Sequence, residues 1–357
     1  MDAVGNHRKL ESIRILVQEM VLSMDSAIQR QEACVQLYGV SHFSALLALR
    51  RGQHQEMAAI IGLLHDYYFY KTGIQEIPGP NSAETVRPLL RDLHIFSQAE
   101  QTTILQAIFN RDDRERVHEP YDEILKDAYV LQSYFHNRNV VLKQQDADRV
   151  QHVFHELALP GECPIEMLNP KKLAVKTIDK RSKLADIAEE LGRDRFIGVP
   201  GEPRYREICK YWPDQNIHHV LQSNWCAAFV YHCCMQAGFI LPIRYPNGNH
   251  RLAGVGALLE WAQLPEHGFF YADMQNDFTP QRGDIVVYEK LLTNNSHDHT
   301  GIVLACNDKE ILVAEGNTNN QNYSSVLYRD RWSSILGYIR IDNNYQYRFE
   351  GDYNPIL

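Results

Sequence analysis

The sequence predicts two dissimilar domains in series, an all-α helical bundle followed by an α+β domain with an antiparallel sheet. Three observations carry this expectation. The chain has 357 residues, and length alone favours two domains of roughly 150 to 200 residues over one core. In the first half, apolar residues recur at three- and four-residue spacing in LESIRILVQEMVLSM, EMAAIIGLLHDYYFY and QTTILQAIFN, the period of helices with one buried face. In the second half, an apolar helix around Trp225 to Ala237 precedes short β-rich runs: GDIVVYE, TGIVLAC, EILVAEG, SSVLYR and LGYIRI. Several of these runs are separated by Asn, Asp and Gly, as strand connections usually are, and one helix before a meander of strands is an α+β layout.

The boundaries follow from the breaks. Arg51-Gly52, a Pro78-Gly79-Pro80 turn and Pro160-Gly161 punctuate the helical half, which is placed at residues 1–162. A polar, lysine-rich stretch reads as a linker over 163–185, the α+β domain follows at 186–345, and 346–357 is left as a C-terminal tail.

Composition narrows the classes of function. A hydrophobic fraction of 44% and a charged fraction of 23% are those of a folded protein. The formal net charge of -9 gives no attractive field to nucleic acid or to an anionic membrane, so neither is expected as a partner. No stretch is apolar for the eighteen or so residues that a membrane span requires, and the first residues lack the unbroken apolar core of a signal peptide. Seven cysteines, at 34, 163, 209, 226, 233, 234 and 306, do not form a disulfide framework. The expectation is a cytoplasmic protein with reduced thiols.

One of those thiols is placed for chemistry. In SNWCAAFVYHCCMQAG, the residues Cys226, Phe229, Val230, Cys233 and Ala237 share a helical face, which puts Cys226 at or near a helix N-terminus. The positive end of the helix dipole favours a thiolate there. A packing role is the ordinary fate of a cysteine on an apolar helix, so a second segment is needed to argue for catalysis. It is HDHTGIVLACNDKEILVAEGNTN, where His299 opens one apolar run and Glu315 and Asn317 close the next. Runs joined by a turn as short as CNDKE pair as a hairpin, which brings His299 beside Glu315 and Asn317. A nucleophilic cysteine needs such a base, and the base needs a group to hold its other nitrogen.

The segments WCAAFV with a following AG, PxxGDIVVY, HTGIV, EGNTN and GYIRI resemble the CHAP domain, the cysteine- and histidine-dependent amidohydrolases and peptidases of the papain-like NlpC/P60 class. The resemblance runs from about residue 190 to 342. It implies Cys226 as nucleophile, His299 as base, Glu315 as the group orienting it, and Asn317 as a second polar residue supporting the histidine or the site. The backbone N–H of Cys226, with Ser223 or Asn224 near it, is the implied oxyanion donor. His297, two residues before His299, is read as a solvated loop residue. The implied reaction is hydrolysis of an amide bond through an S-acyl intermediate, on a peptidoglycan-type peptide or a small γ-glutamyl amide, with no cofactor required.

The helical half carries a second resemblance. His42, then His65-Asp66 within AAIIGLLHDYY, and later KDAYVLQSY, are similar to HD-domain phosphohydrolases over residues 30 to 140. That family implies a divalent metal (Mn, Fe or Mg) held here by His42, His65 and Asp66. The pattern departs from the family at Tyr129, which stands where a further aspartate is normal, and at Asn81 and Asn110, where many relatives carry histidines. An accessory role for this domain is therefore expected. Two other classes remain open at this level: a metal-dependent phosphohydrolase whose C-terminal part only binds peptide, and a catalytically silent two-domain binding protein.

Overall fold

The computed structural model describes residues 3–136, 142–159, 179–273 and 278–357. The chain divides into two units, Met1–Val175 together with Asp352–Leu357, and Lys176–Gly351. The second unit is thus inserted, in sequence, into the first.

Helices supply the regular secondary structure among the first unit's described residues: α1 (Ala3–Leu22), α2 (Ala27–Arg50), α3 (Gln55–Leu64), α4 (Tyr67–Thr72), α5 (Pro78–Leu93), α6 (Gln98–Phe109), α7 (Pro120–His136) and α8 (Gln144–Glu156). Each boundary has a local cause. Ser26 caps α2 by accepting from the Gln29 N–H, and Ser97 and Glu100 close a reciprocal capping box at the start of α6. The expected turn at Pro78-Gly79-Pro80 is instead the first turn of α5, where a proline loses nothing because its missing N–H would have had no partner. The predicted continuous helix EMAAIIGLLHDYYFY is broken into α3 and α4 at His65-Asp66.

The tail is not a free appendage. Residues 352–357 belong to the helical unit, where the Tyr353 ring stacks on Phe109 with centroids 4.0 Å apart. Its hydroxyl donates to Glu84 Oε1 at 2.7 Å, and its carbonyl accepts from Gln106 Nε2 at 2.9 Å. Tyr353 is buried, so Tyr353→Ala should destabilise the helical unit by about 3 kcal/mol, the usual cost of emptying an aromatic site. Urea unfolding followed by the helical circular dichroism signal measures it. An unchanged midpoint would show that the tail rests on the bundle without supporting it.

The second unit begins earlier than the sequence suggested. Of the expected linker 163–185, residues 163–178 lie outside the described residues. Lys180–Lys183 already form the first turn of α9 (Lys180–Arg193), and Leu184 and Ala185 are fully buried core. Helices α10 (Pro203–Cys209), α11 (Ile217–Val220), α12 (Cys226–Ala237) and α13 (Val255–Ala262) follow, so α10, α11 and α13 add to the two helices that KLADIAEELG and the run from Trp225 to Ala237 mark in the sequence.

Among the described residues six strands form one antiparallel sheet: β1 (Phe270–Ala272), β2 (Ile285–Tyr288), β3 (His299–Cys306), β4 (Glu310–Glu315), β5 (Ser325–Asp330) and β6 (Ile335–Ile339). The order is β1-β6-β2-β3-β4-β5. The five β-rich runs of the sequence are β2 to β6. The meander holds from β2 to β5, and β6 then returns to the far side of β2, pairing Ile339 with Ile285. One face of the sheet buries Val286, Tyr288, Val303, Ile311, Val313 and Tyr338 together. Helices α9 and α12 pack against each other, and both contact β3 and β4. Among the described residues no helix is long and apolar enough to cross a membrane.

Candidate active site

The site is assembled at the N-terminus of α12 and at adjoining ends of β3 and β4. Helix α12 is apolar on nearly all sides, and ten of its residues are buried, as a helix in the centre of a domain must be. It stops at Gly238, whose φ of 95° suits only glycine and whose N–H returns to the Cys234 and Met235 carbonyls. Its first residue is Cys226. The first intrahelical bond runs from the Phe229 N–H to the Trp225 carbonyl at 2.9 Å. The N–H groups of Cys226, Ala227 and Ala228 therefore precede the helical ladder and form the positive end of its dipole.

Trp225 fixes where that end lies. It is fully buried beside Phe196 and Tyr205, and its indole N–H donates to Asn322 Oδ1 at 3.0 Å. Gly316 passes so close that an added Cβ would sit 2.6 Å from Phe229 Cβ and 2.7 Å from the Trp225 ring. The EGN sequence thus brings the end of β4 directly against the start of the cysteine helix.

His299 and Glu315 are both completely buried, with His299 Nε2 3.0 Å from Glu315 Oε2. Gly301 makes the approach possible, since a Cβ there would lie 2.8 Å from Glu315 Cγ. With Nε2 committed to Glu315, the other ring nitrogen, Nδ1, is buried with no hydrogen bond of full geometry. Burial alone would lower the His299 pKa. The Glu315 carboxylate and the neighbouring Cys226 outweigh it and push the imidazole up to about 10. For Glu315, burial acts to raise the pKa, and the Arg329 and His299 cations override it to hold the carboxyl below its ordinary range. The arrangement favours an imidazolium between a sulfur and a carboxylate.

Two residues that the sequence reading passed over complete this cluster. Arg329, on β5, donates from Nε and Nη2 to the two oxygens of Glu315 at 2.6 Å each. Tyr288, on β2, pairs with His299 across the strands and stacks on its ring at 6.0 Å and 24°. Asn317 has a different job from orienting the base. Its amide donates to the Ser223 carbonyl at 2.8 Å and to Asn320 Oδ1 at 3.1 Å, and its oxygen accepts from the Asn322 N–H at 3.0 Å. It pins the segment leading into Cys226 to the loop after β4. That loop holds Asn317, Asn319, Asn320 and Asn322 at positive φ, a conformation asparagine tolerates better than other non-glycine residues. Of the residues suggested as oxyanion donors, Ser223 and Asn224 are both exposed, whereas Cys226 is buried. In HDH, Asp298 accepts from the Leu291, Leu292 and Thr293 N–H groups and so folds the preceding loop, while His297 lies against Gly256 of α13.

Residues 218–317 match the family model of the CHAP domain. The match lies within the second unit and contains Cys226, His299, Glu315 and Asn317, and it ends before Arg329. No curated protein and no solved structure matches the chain.

The metal site expected in the helical unit is not assembled. His65 and Asp66 are buried, but His42 is exposed on α2, and among the described residues no group of three His, Cys, Asp or Glu could hold an ion. The physical reason is Arg111, almost fully buried, whose guanidinium is hydrogen-bonded to Asp66. Burial would raise the Asp66 pKa, but the charges of Arg111 and His65 hold it well below the carboxylate range. A guanidinium stands where an ion's charge would be. Tyr129 lies under it, 5.0 Å from ring centroid to guanidinium. Asp127, the nearest carboxylate in sequence, is taken by Arg51 and Arg149 at 2.7 Å each. These residues do not fit a divalent metal.

The described cysteines are free and differ sharply in environment. Burial pushes Cys209 up to about 11 and raises Cys233 and Cys234 further, whereas Cys34 is exposed on α2. At neutral pH, brief iodoacetamide treatment should alkylate Cys226 first, ahead of exposed Cys34 and well ahead of Cys209, Cys233 and Cys234. Peptide mass mapping reads the order, and Cys34 reacting faster than Cys226 would count against an activated thiol.

Proposed function

We propose that the second unit is a cysteine amidohydrolase or peptidase in which Cys226 is the nucleophile, His299 the acid–base and Glu315 the group that orients it. The observation that carries the reading is the fully buried His299–Glu315 pair, 3.0 Å apart, set beside a cysteine at a helix N-terminus. The CHAP match over the same residues supports it.

In this reading the Cys226 sulfur attacks the carbonyl carbon of an amide, and the carbonyl oxygen takes up negative charge toward the N–H groups at the start of α12. The imidazolium of His299 gives its proton to the departing nitrogen as the C–N bond breaks, leaving an S-acyl enzyme and a neutral imidazole. A water molecule then loses a proton to His299 and attacks the thioester, which releases the acid and restores the starting pair. Glu315 keeps its charge throughout and holds the ring so that Nδ1 serves the sulfur. The substrate is an amide of the peptidoglycan peptide or γ-glutamyl type. No step uses the helical unit, for which we propose an accessory role.

The test is mass analysis of muropeptides and of γ-glutamyl amides incubated with wild type and with Cys226→Ala. New carboxyl and amine termini formed by wild type alone support the reading, and no cleavage of either class by wild type removes it. Since Arg111 holds Asp66 and the proposed chemistry resides in the second unit, hydrolysis should survive EDTA. Activity that falls with chelation and returns with Mn²⁺ would point to a metal-dependent reaction instead.

A further inference from the structure

The Glu315 carboxylate is completely buried, and a buried carboxylate keeps its charge only when cations and donors compensate the lost water. Its compensation is unequal. His299 supplies one contact at 3.0 Å, while Arg329 supplies two at 2.6 Å in a fork that addresses both oxygens. A bidentate guanidinium fixes the plane of a carboxylate as well as its charge. Arg329 is itself held: Nη2 also donates to Asn319 Oδ1 at 3.0 Å, and the guanidinium lies over the Tyr288 ring at 5.5 Å. That same ring stacks on His299.

Strand register shows that this placement is not a by-product of pairing. Ser325 is the residue opposite Glu315, and Arg329 stands opposite Ile311. The long side chain runs back along the sheet face to reach the carboxylate. Among the described residues, the titratable and charged groups that face the His299–Glu315 pair are Cys226 from α12, Tyr288 from β2 and Arg329 from β5, with Tyr338 of β6 beyond Tyr288.

We propose that Arg329 is a positioning residue for the reaction, holding Glu315 ionised and in plane with His299 so that Cys226, His299, Glu315 and Arg329 act as one unit. The inference rests on the hydrolase reading above and extends it to a residue outside the family match. Two functions are separable by substitution. Arg329→Met removes the charge and the fork, and Arg329→Lys keeps the charge but not the fork.

The experiment follows Cys226 alkylation by iodoacetamide as a function of pH, by mass, alongside kcat and KM for the cleaved amide. Removing a nearby cation moves every proton release in the cluster to higher pH. In Arg329→Met the acid limb of the alkylation profile should therefore shift upward by about one pH unit, and kcat should fall about tenfold or more with KM little changed. In Arg329→Lys the limb should stay near its wild-type position while kcat still falls severalfold. An arginine that only stabilised the fold would lower the active fraction without moving the limb.

A folded Arg329→Met enzyme with an unshifted limb and kcat within about twofold of wild type would overturn the proposal. If Arg329→Met fails to fold, Arg329→Lys decides, since unchanged kcat in that variant also overturns it. If wild-type Cys226 reacts no faster than Cys34 at any pH, the underlying hydrolase reading fails first, and the two failures are thereby told apart.

Discussion

His299→Ala is expected to reduce amide hydrolysis by about 10²–10⁴-fold, close to the loss in Cys226→Ala, because one imidazole both supports the thiolate and protonates the departing amine. In the proposed mechanism this ring serves the two steps in turn: Nε2 is held by Glu315, and among the described residues Nδ1 has no hydrogen bond of full geometry. His297→Ala, two residues away, should cost little, since His297 lies outside the pair. Steady-state kinetics on the cleaved amide checks both variants. The assignment would be reversed by a dead His297→Ala beside an active His299→Ala.

Glu315→Gln should damage activity and stability together. The amide can still accept from His299, but it cannot stabilise an imidazolium, and it leaves Arg329 half-buried without its counter-charge. Removing one partner of a buried ion pair typically costs about 3–5 kcal/mol. The pH dependence has a definite sign. The Glu315 pKa is depressed in the folded state, so its contribution is present above the ordinary carboxylate value and fades as pH falls through the lower, folded value. The His299 pKa is raised from 6.5 to about 10, so its contribution is complete below 6.5 and is lost as pH rises through about 10. Wild type should therefore exceed Glu315→Gln in thermal stability most clearly between the ordinary carboxylate range and pH 6.5. The gap should narrow toward pH 10 and again at strongly acid pH. Melting temperatures across that range measure it, and a gap that does not change with pH would contradict an ionised pair.

Much of this was legible in the sequence because it is local. The buried helix beginning at Cys226, the β3–β4 hairpin and the juxtaposition of His299 with Glu315 follow from hydrophobic period and a short turn. Contributions from distant segments were not legible. Arg329 reaches Glu315 only because its side chain runs back from a register position opposite Ile311, and nothing in SSVLYR marks that direction. Asn317 was placed in the site, but its work is on the Ser223 carbonyl, ninety-four residues back along the chain. The sequence pattern predicts a meander, which β2 to β5 follow, whereas the return of β6 to β2 is a long-range pairing that no local pattern announces. In the helical unit, the resemblance to HD-domain phosphohydrolases implies His42, His65 and Asp66 as ligands, while Arg111, which takes Asp66, lies forty-five residues after it and belongs to no part of that motif. The sequence marks 346–357 only as a C-terminal tail, and nothing local in it announces that Tyr353 donates to Glu84, 269 residues earlier.

The central claim is that Cys226 carries the acyl group. Acid quenching of wild type during turnover of a cleaved amide, followed by peptide mass mapping, tests it most directly. The account predicts an acyl mass increment on the peptide containing Cys226, labile to hydroxylamine, accumulating in wild type and absent from Cys226→Ala. Turnover without such an adduct, with cleavage persisting in Cys226→Ala, would contradict it.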